Sequence, residues 1–202
     1  MIKREETMGS AHKLMLPFIP LLEKIDVLIK EKQTVIAIDG GSASGKSTLA
    51  ELLQSIYDCT VLHTDDFFLR PEQRTSERYA EIGSNIDRER FFDEVLLPLS
   101  KNEPINYRRF DCSTMTIQPA VKITPKRLTV IEGAYSMHPY FSKYYDISVF
   151  LEIDPKLQHD RIIKRNTPSF AERFFNEWIP LENKYFDQMK VKERADIKIT
   201  IK

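Results

Sequence analysis

The sequence has little of several features that define common protein classes. Its 202 residues include two cysteines, six glycines and one tryptophan, and 30 basic residues balance 30 acidic ones. Cys59 and Cys112 belong to no CxxC or Cys/His spacing, so neither a structural zinc site nor a disulfide is expected. The formal net charge of zero argues against a general nucleic-acid-binding protein, which would carry a basic excess.

Long apolar runs are also missing. The most apolar early stretch, residues 14–22, is interrupted by Pro17 and Pro20 and is too short to span a bilayer. Glu5 and Glu6 stand where a signal peptide would be basic, and no small-residue cleavage site follows. We therefore expect a cytoplasmic globular protein with no membrane partner, and 42% hydrophobic residues suffice for a substantial core.

Short β-branched runs alternate with amphipathic stretches along the chain. The predicted strands cover residues 34–39, 60–64, 127–131, 146–151 and 196–201. The predicted helices cover residues 46–57, 88–99, 155–165 and about 170–190. This alternation predicts a three-layer α/β/α fold with a five-stranded, mainly parallel sheet.

Two segments fall outside the alternation. Residues 1–33 are predicted to form a polar arm and an amphipathic helix that packs on the core, and residues 34–202 a single domain. The helix could equally pack on a second copy of the chain, so a homo-oligomer is possible. Residues 67–126 form a long insert, in which residues 105–110 and 117–123 could pair as a β-hairpin. At the carboxyl edge of a parallel sheet, such an insert is suited to cover a bound acceptor.

One motif has a specific chemical meaning. Residues 40–47 match G-x-x-x-x-G-K-[ST] at every fixed position and lie between a strand pattern and a helix pattern. The glycines let the backbone approach phosphate oxygens, and N–H groups at the start of the helix form an anion-binding concavity. Lys46 would pair with the β- and γ-phosphates of a nucleotide, and Ser47 would bind Mg²⁺. The predicted nucleotide-binding residues are Gly40, Gly41, Ser42, Ala43, Ser44, Gly45, Lys46, Ser47 and Thr48.

Acidic residues follow two strands at the same predicted edge of the sheet. Asp65 and Asp66 come after the second strand, and adjacent side chains in extended chain point to opposite faces, so one of them should face the phosphates. A carboxylate there could accept a proton from an acceptor hydroxyl or bind Mg²⁺ through water. Glu132 ends the third strand, where a carboxylate near magnesium is expected. Helix capping, a solvated turn or a surface ion pair are the alternatives.

Basic residues cluster after the fourth strand. Arg161, Lys164 and Arg165 share one side of a predicted helix, and Arg173 follows. The planar guanidinium of arginine matches phosphate geometry, so residues of about 156–176 could close as a lid over a transferring phosphoryl group. A solvated helix face is the alternative.

The order of these motifs resembles that of the uridine kinase and phosphoribulokinase family. The resemblance extends from Thr34 onward and also includes Thr64-Asp-Asp-Phe-Phe, Asn85-Ile-Asp and Ile131-Glu-Gly. It implies a sheet in the order 2-3-1-4-5, ATP and Mg²⁺, and phosphorylation of a hydroxyl group on a small metabolite, above all a nucleoside such as uridine or cytidine.

The resemblance also implies roles for individual residues. Asp65 matches the general base of the family, Asp87 the residue that holds ribose hydroxyls, and Tyr107 an aromatic contact to the acceptor base. The implied set is Asp65, Lys46, Arg161 and Arg165 for catalysis, Ser47, Glu132 and Asp65 for the metal, and Asp65, Asp87, Tyr107, Arg108 and Arg173 for the acceptor.

The sequence leaves the acceptor open. Uridine kinases carry an aromatic residue and a histidine near the hairpin, whereas this chain has no histidine between Tyr107 and Thr124. Arg108 and Arg109 would equally suit an anionic or carbonyl-rich acceptor, so nicotinamide riboside, pantothenate and a sugar or sugar phosphate are alternatives. A regulatory P-loop ATPase without an acceptor is another. A GTPase would carry Asn-Lys-x-Asp, which does not occur here.

Overall fold

A parallel five-stranded sheet forms the centre of the computed structural model, which describes residues 16–202. The strands are β1 (Thr34–Gly40), β2 (Cys59–His63), β3 (Ile105–Tyr107), β4 (Phe110–Asp111), β5 (Thr116–Ile117), β6 (Val121–Ile123), β7 (Leu128–Glu132), β8 (Ile147–Ile153) and β9 (Ile197–Ile201). The central sheet has the order β2-β7-β1-β8-β9 with every pair parallel. Counted along this sheet alone, that is the order 2-3-1-4-5, so the predicted fold class is confirmed.

Helices connect the strands. They are α1 (Ile19–Glu31), α2 (Lys46–Ile56), α3 (Ser76–Ala80), α4 (Arg88–Phe91), α5 (Leu97–Ser100), α6 (Pro155–Arg165), α7 (Pro168–Arg173), α8 (Ile179–Gln188) and α9 (Val191–Arg194). The predicted helices 88–99 and 170–190 are each interrupted by a π-helical turn, Phe92–Leu96 and Phe174–Trp178. Pro98 and Pro180 follow these turns, and a proline without an N–H group cannot donate the usual i→i−4 bond.

Apolar side chains of β1 alternate between two cores on opposite faces of the sheet. Val35 and Ala37 belong to a core that also contains residues of the 67–126 insert, such as Phe67 and Phe91. Ile36 and Ile38 face the other core, which is covered by α1 and α2. The sheet therefore lies between two helical layers, which accounts for the nearly continuous apolar sequence of β1.

Helix α1 packs on the sheet of its own chain. Leu21 and Ile25 are fully buried in the core that contains α2. The predicted polar arm lies mostly in residues 1–15, outside the described residues. In the part of the chain described, none of the helices combines the length and the hydropathy needed to cross a bilayer.

The insert forms the hairpin pairings expected from the sequence. Strand β3 pairs with β6 in antiparallel register, with Ile105 opposite Ile123. Further along the same hairpin, β4 pairs with β5, with Phe110 opposite Ile117. Ile105 and Tyr107 are buried against the core below the insert, so the hairpin is anchored to the sheet rather than extended into solvent.

Candidate active site

The P-loop joins β1 to α2 through a backbone path that requires glycine at both ends. Gly40 has a φ of 146°, and a Cβ atom there would lie 2.3 Å from the carbonyl oxygen of Leu151 on β8. Gly45 has a φ of 99° and is the N-cap of α2. Ser44 is 1% exposed, and its hydroxyl has no hydrogen-bond partner among residues 16–202. A buried, unpaired donor in a loop at a helix N-terminus fits a phosphate group.

Lys46 and Ser47 begin helix α2 and lie beside a buried carboxylate. The Lys46 ammonium donates to the carbonyl oxygens of Gly40 at 2.8 Å and Gly41 at 3.2 Å, so it lies across the loop. The Ser47 hydroxyl donates to Glu132 Oε1 at 3.1 Å, and Glu132 is 4% exposed. A hydroxyl and a carboxylate oxygen together are a donor set that suits Mg²⁺, so the chain fits the ion that the sequence implies.

His63 is a neighbour of this pair that sequence reasoning missed. Its Nδ1 atom lies 2.6 Å from Glu132 Oε1, and this hydrogen bond raises the pKa of His63 above its ordinary value. The two residues are direct partners at the carboxyl ends of β2 and β7. Their adjacency could have been read from the sequence once the two strands were paired, because both residues end their strands.

The two adjacent aspartates after β2 have different environments. Asp65 lies in a 3₁₀ turn, Thr64–Phe67, and is exposed to the cleft that also contains Lys46 and Glu132. Asp66 turns away and accepts hydrogen bonds from the Tyr107 hydroxyl at 2.8 Å and the Arg109 Nε at 2.9 Å. Of the two, Asp65 is therefore the carboxylate that faces the P-loop.

The protein around Asp65 raises its pKa to about 6. Desolvation by the cleft walls is the largest cause, the charge of Lys46 acts in the opposite direction, and the nearby Glu132 carboxylate adds to the rise. A carboxylate with a pKa near neutrality is suited to accept a proton.

A cleft of about 1150 Å³ brings the predicted catalytic and metal-binding residues together. Its lining contains the P-loop from Ser42 to Thr48, Asp65, Glu132, and the basic residues Arg161, Lys164 and Arg165. The Arg161 Nη1 donates to the Ala43 carbonyl oxygen at 3.0 Å, so α6 contacts the P-loop directly. The basic side of α6 thus faces the phosphate-binding loop, as its spacing indicated.

The structure places two of the predicted acceptor residues in buried positions. Asp87 is 1% exposed and caps α4 by accepting a hydrogen bond from the Arg90 N–H at 3.1 Å. Its Oδ2 atom has no hydrogen bond within the part of the chain that the structure describes, and it lies 3.6 Å from the Arg70 Nε and 3.7 Å from the Arg90 Nε. Tyr107 is 6% exposed, and its hydroxyl, which donates to Asp66, accepts from the His63 N–H at 3.1 Å and lies 3.1 Å from the His63 carbonyl oxygen. Neither residue is part of the cleft lining.

Of the predicted acceptor residues, Asp65 lines the cleft, whereas Arg108 and Arg173 lie outside its lining and have acidic partners. The Arg108 Nε lies 3.2 Å from Glu94 Oε2. Arg173 pairs with Glu177 at 3.2 Å, one helical turn further on, and stacks over the Trp178 ring. The structure thus gathers the phosphate-side residues at one point and distributes the predicted acceptor residues over the insert and the lid.

Glu182 and Gln158 complete the surroundings of the P-loop. Both contact Ser42, and Glu182 lines the cleft although it is 4% exposed. Sequence reasoning missed both residues. Gln158 precedes Arg161 by three positions and so shares its side of α6, which is a readable pattern, but Glu182 lies 140 residues from Ser42 with no local pattern to mark it.

Comparison with known proteins gives a family and a fold. The chain matches the model of the phosphoribulokinase/uridine kinase family over residues 35–170. Among solved structures it is similar to a possible uridine kinase from Bacillus stearothermophilus, with a TM-score of 0.62 and 23% identity, covering 89% of this chain and 99% of that one. It is also similar to the YGR205w protein, with a TM-score of 0.58 and 12% identity, covering 95% and 92% of the two chains.

At these identities the two structures show a shared fold and nothing further. No curated protein sequence matches the chain. The family model, in contrast, covers more than half of the chain and includes the P-loop, Asp65, Glu132 and α6. The chain therefore belongs to the phosphoribulokinase/uridine kinase family of P-loop small-molecule kinases.

Proposed function

We propose that the protein is an ATP- and Mg²⁺-dependent kinase that transfers the γ-phosphoryl group to a hydroxyl of a small metabolite, most consistently a nucleoside such as uridine or cytidine. One observation carries the proposal. Asp65, the carboxylate with a raised pKa, lies in the same cleft as Lys46, Ser47 and Glu132. A base for the acceptor and cations for the donor phosphates are both needed for phosphoryl transfer, and here they share one space.

In the proposed reaction Asp65 takes the proton of the acceptor hydroxyl as its oxygen attacks the γ-phosphorus. The bond between that phosphorus and the bridging oxygen breaks, and ADP leaves with the electron pair. Lys46, Arg161 and Arg165 all line this cleft, and in the proposed reaction they would neutralise charge on the transferring group. A bound Mg²⁺ would supply further neutralisation of the β- and γ-phosphates.

Two hydrogen bonds to Glu132, from Ser47 and from His63, form the part of the site proposed to bind magnesium. Ser47 would be the direct ligand, and Glu132 the carboxylate beside it. His63 holds Glu132 Oε1 from the other side at 2.6 Å, which restricts the orientation of that carboxylate. Orientation by an outer partner of this kind strengthens metal binding in other sites.

The proposal of a nucleoside as the acceptor is supported by one residue, Asp87. Within residues 16–202, Asp87 Oδ2 is buried, makes no hydrogen bond and has the Arg70 and Arg90 Nε atoms at 3.6 and 3.7 Å. A buried carboxylate oxygen with unused hydrogen-bonding capacity suits a ligand hydroxyl. It belongs to the insert, close to the turn that contains Asp65, since the Asp87 N–H donates to the Phe67 carbonyl oxygen at 2.7 Å. Arg108 and Tyr107 would contribute to the acceptor side only if the hairpin moves relative to its present contacts.

A coupled ADP-release assay with Mg-ATP tests the proposal. The acceptor panel contains uridine, cytidine, nicotinamide riboside, pantothenate, ribose and glycerate, each with the wild-type protein and with Lys46→Ala as the blank. Lys30→Ala, an exposed lysine on α1 outside the cleft, is the matched control. We expect one acceptor to stimulate turnover in the wild type and the control but not in the blank. ADP release that no acceptor stimulates would favour a regulatory ATPase instead.

A further inference from the structure

Ser42, at the rim of the P-loop, is held by side chains from two different helices. Glu182 of α8 accepts hydrogen bonds from the Ser42 N–H at 2.8 Å and from the Ser42 hydroxyl at 2.6 Å. Gln158 of α6 donates to the Ser42 carbonyl oxygen at 2.8 Å. Both backbone polar groups and the side chain of Ser42 are therefore bonded, which fixes the orientation of its two peptide planes.

The environment of Glu182 is unusual for a carboxylate. It is 4% exposed, and within residues 16–202 no lysine or arginine nitrogen lies within 4.0 Å of it. A buried carboxylate without an ion pair is costly unless hydrogen bonds compensate. The two hydrogen bonds from Ser42 provide that compensation. Because they would be lost if α8 moved away from the loop, they hold α8 and the loop in one relative position.

The space beside this contact is too small for an additional side-chain atom at Gly41. A Cβ atom at Gly41 would lie 2.9 Å from the Gln158 Nε2 and 3.9 Å from Glu182 Oε2. Arg161, one turn after Gln158, donates to the Ala43 carbonyl oxygen at 3.0 Å. Helix α6 belongs to the predicted lid of about residues 156–176 and α8 follows that lid, so the lid and the helix after it both contact the P-loop.

We propose that Glu182 is a positioning residue for nucleotide binding. By bonding both donors of Ser42, it sets the direction of the peptide that leads into the following N–H groups of the P-loop. The inference rests on the proposed function, because it assigns Glu182 a role in binding the phosphates of that nucleotide. Glu182 acts through Ser42 and does not itself contact phosphate.

The negative charge of Glu182 and its positioning of Ser42 have different effects on nucleotide binding. A carboxylate next to an anion site weakens anion binding through its charge, and strengthens it if its hydrogen bonds hold the binding loop in place. The two effects have opposite signs. Replacing Glu182 by alanine should therefore weaken nucleotide binding if positioning dominates, and improve it if charge dominates.

The experiment is a calorimetric titration of Mg-ADP into the full chain. We expect Glu182→Ala to raise Kd at least tenfold, whereas Glu182→Gln, which can still accept from the Ser42 N–H, should stay within threefold of the wild type. Asn183→Ala, exposed on the same helix, is the matched control and should bind as the wild type does. Equal or tighter binding by Glu182→Ala, or equal weakening by Glu182→Gln, overturns the proposal.

Measuring the Tm of Glu182→Ala distinguishes a role in positioning the P-loop from a role in stability alone. Loss of packing alone would lower the Tm of Glu182→Ala without changing the Kd of the folded protein. If that variant does not fold, Ser42→Ala, Glu182→Leu, which keeps side-chain bulk but has no acceptor, and their double variant replace it. Their effects on Kd should not add, because the Ser42 hydroxyl and Glu182 share one contact, and additive effects would refute the role. A wild type that fails to bind Mg-ADP rejects the proposed function itself.

Discussion

Asp39, the residue before the P-loop, makes the stability of the protein depend on pH in a specific direction. It is fully buried, its Oδ2 accepts hydrogen bonds from the Met137 N–H and the Tyr185 hydroxyl, both at 2.9 Å, and its Oδ1 accepts from the Gly40 N–H at 2.7 Å. Burial nevertheless outweighs these bonds and the charge of Lys46, and raises the pKa of Asp39 to about 6.

The sign and size of the effect follow from linkage. Because the folded protein binds the Asp39 proton more tightly than the unfolded chain does, its contribution to stability is complete below the ordinary pKa of 3.8 and is lost as the pH rises through about 6. For a pKa change of this size, the free energy of unfolding falls by about 3 kcal/mol in total as the pH rises through this range. About 2 kcal/mol of that loss occurs between pH 4.5 and 7.5.

The assay compares urea unfolding of the wild type and of Asp39→Asn at several pH values. Asparagine does not titrate, so the difference between the two free energies of unfolding isolates Asp39 from every other group. We expect the wild type to lose about 2 kcal/mol relative to the variant between pH 4.5 and 7.5. A difference that stays constant over this range would refute the reasoning, since Asp39 would then titrate alike in the folded and unfolded states.

Two further predictions concern the P-loop. Gly40→Ala should lower the free energy of unfolding by at least about 2 kcal/mol, because its φ of 146° is strained for alanine and the added Cβ meets the Leu151 carbonyl oxygen at 2.3 Å. Gly45→Ala is the control in the same urea titration, because its φ of 99° is also strained but its Cβ would meet only the Arg161 Nη1, at 4.0 Å. It should lose less than Gly40→Ala, and equal losses would contradict the steric argument. Ser47→Ala should raise the Mg²⁺ concentration that gives half-maximal ADP release by about tenfold or more. An unchanged Mg²⁺ requirement would exclude Ser47 as a ligand.

Local patterns predicted the framework of the fold and the phosphate side of the site. The β-branched run of β1, the glycines after it and the periodicity of α2 are contiguous in sequence, so their geometry is readable without tertiary information. Lys46, Ser47, Asp65 and Glu132 could then be placed together because parallel strands end at one edge of the sheet.

The remaining contacts depend on packing between distant segments. Glu182 meets Ser42 across 140 positions, and no local spacing indicates that contact. Gln158 meets Ser42 across 116 positions, and the only local indication is that it shares the side of α6 that carries Arg161. Tyr107 was expected at the acceptor, but its side chain is buried in the core between the insert and the sheet, and its hydroxyl contacts His63 and Asp66. For Arg173 the sequence does indicate a local partner, because Glu177 follows at i+4 on the same helical face and pairs with its charge.

The rate of ADP release with the best acceptor, compared between the wild type and Asp65→Asn, tests the central claim most directly. Asp66→Asn is the matched control, because Asp66 bonds Tyr107 and Arg109 and does not line the cleft. The account predicts that Asp65→Asn loses about 10²- to 10⁴-fold in kcat while its Kd for Mg-ATP stays within a few-fold of the wild type. An Asp65→Asn variant that keeps the wild-type kcat would contradict the assignment of this cleft as a phosphotransfer site with Asp65 as its base.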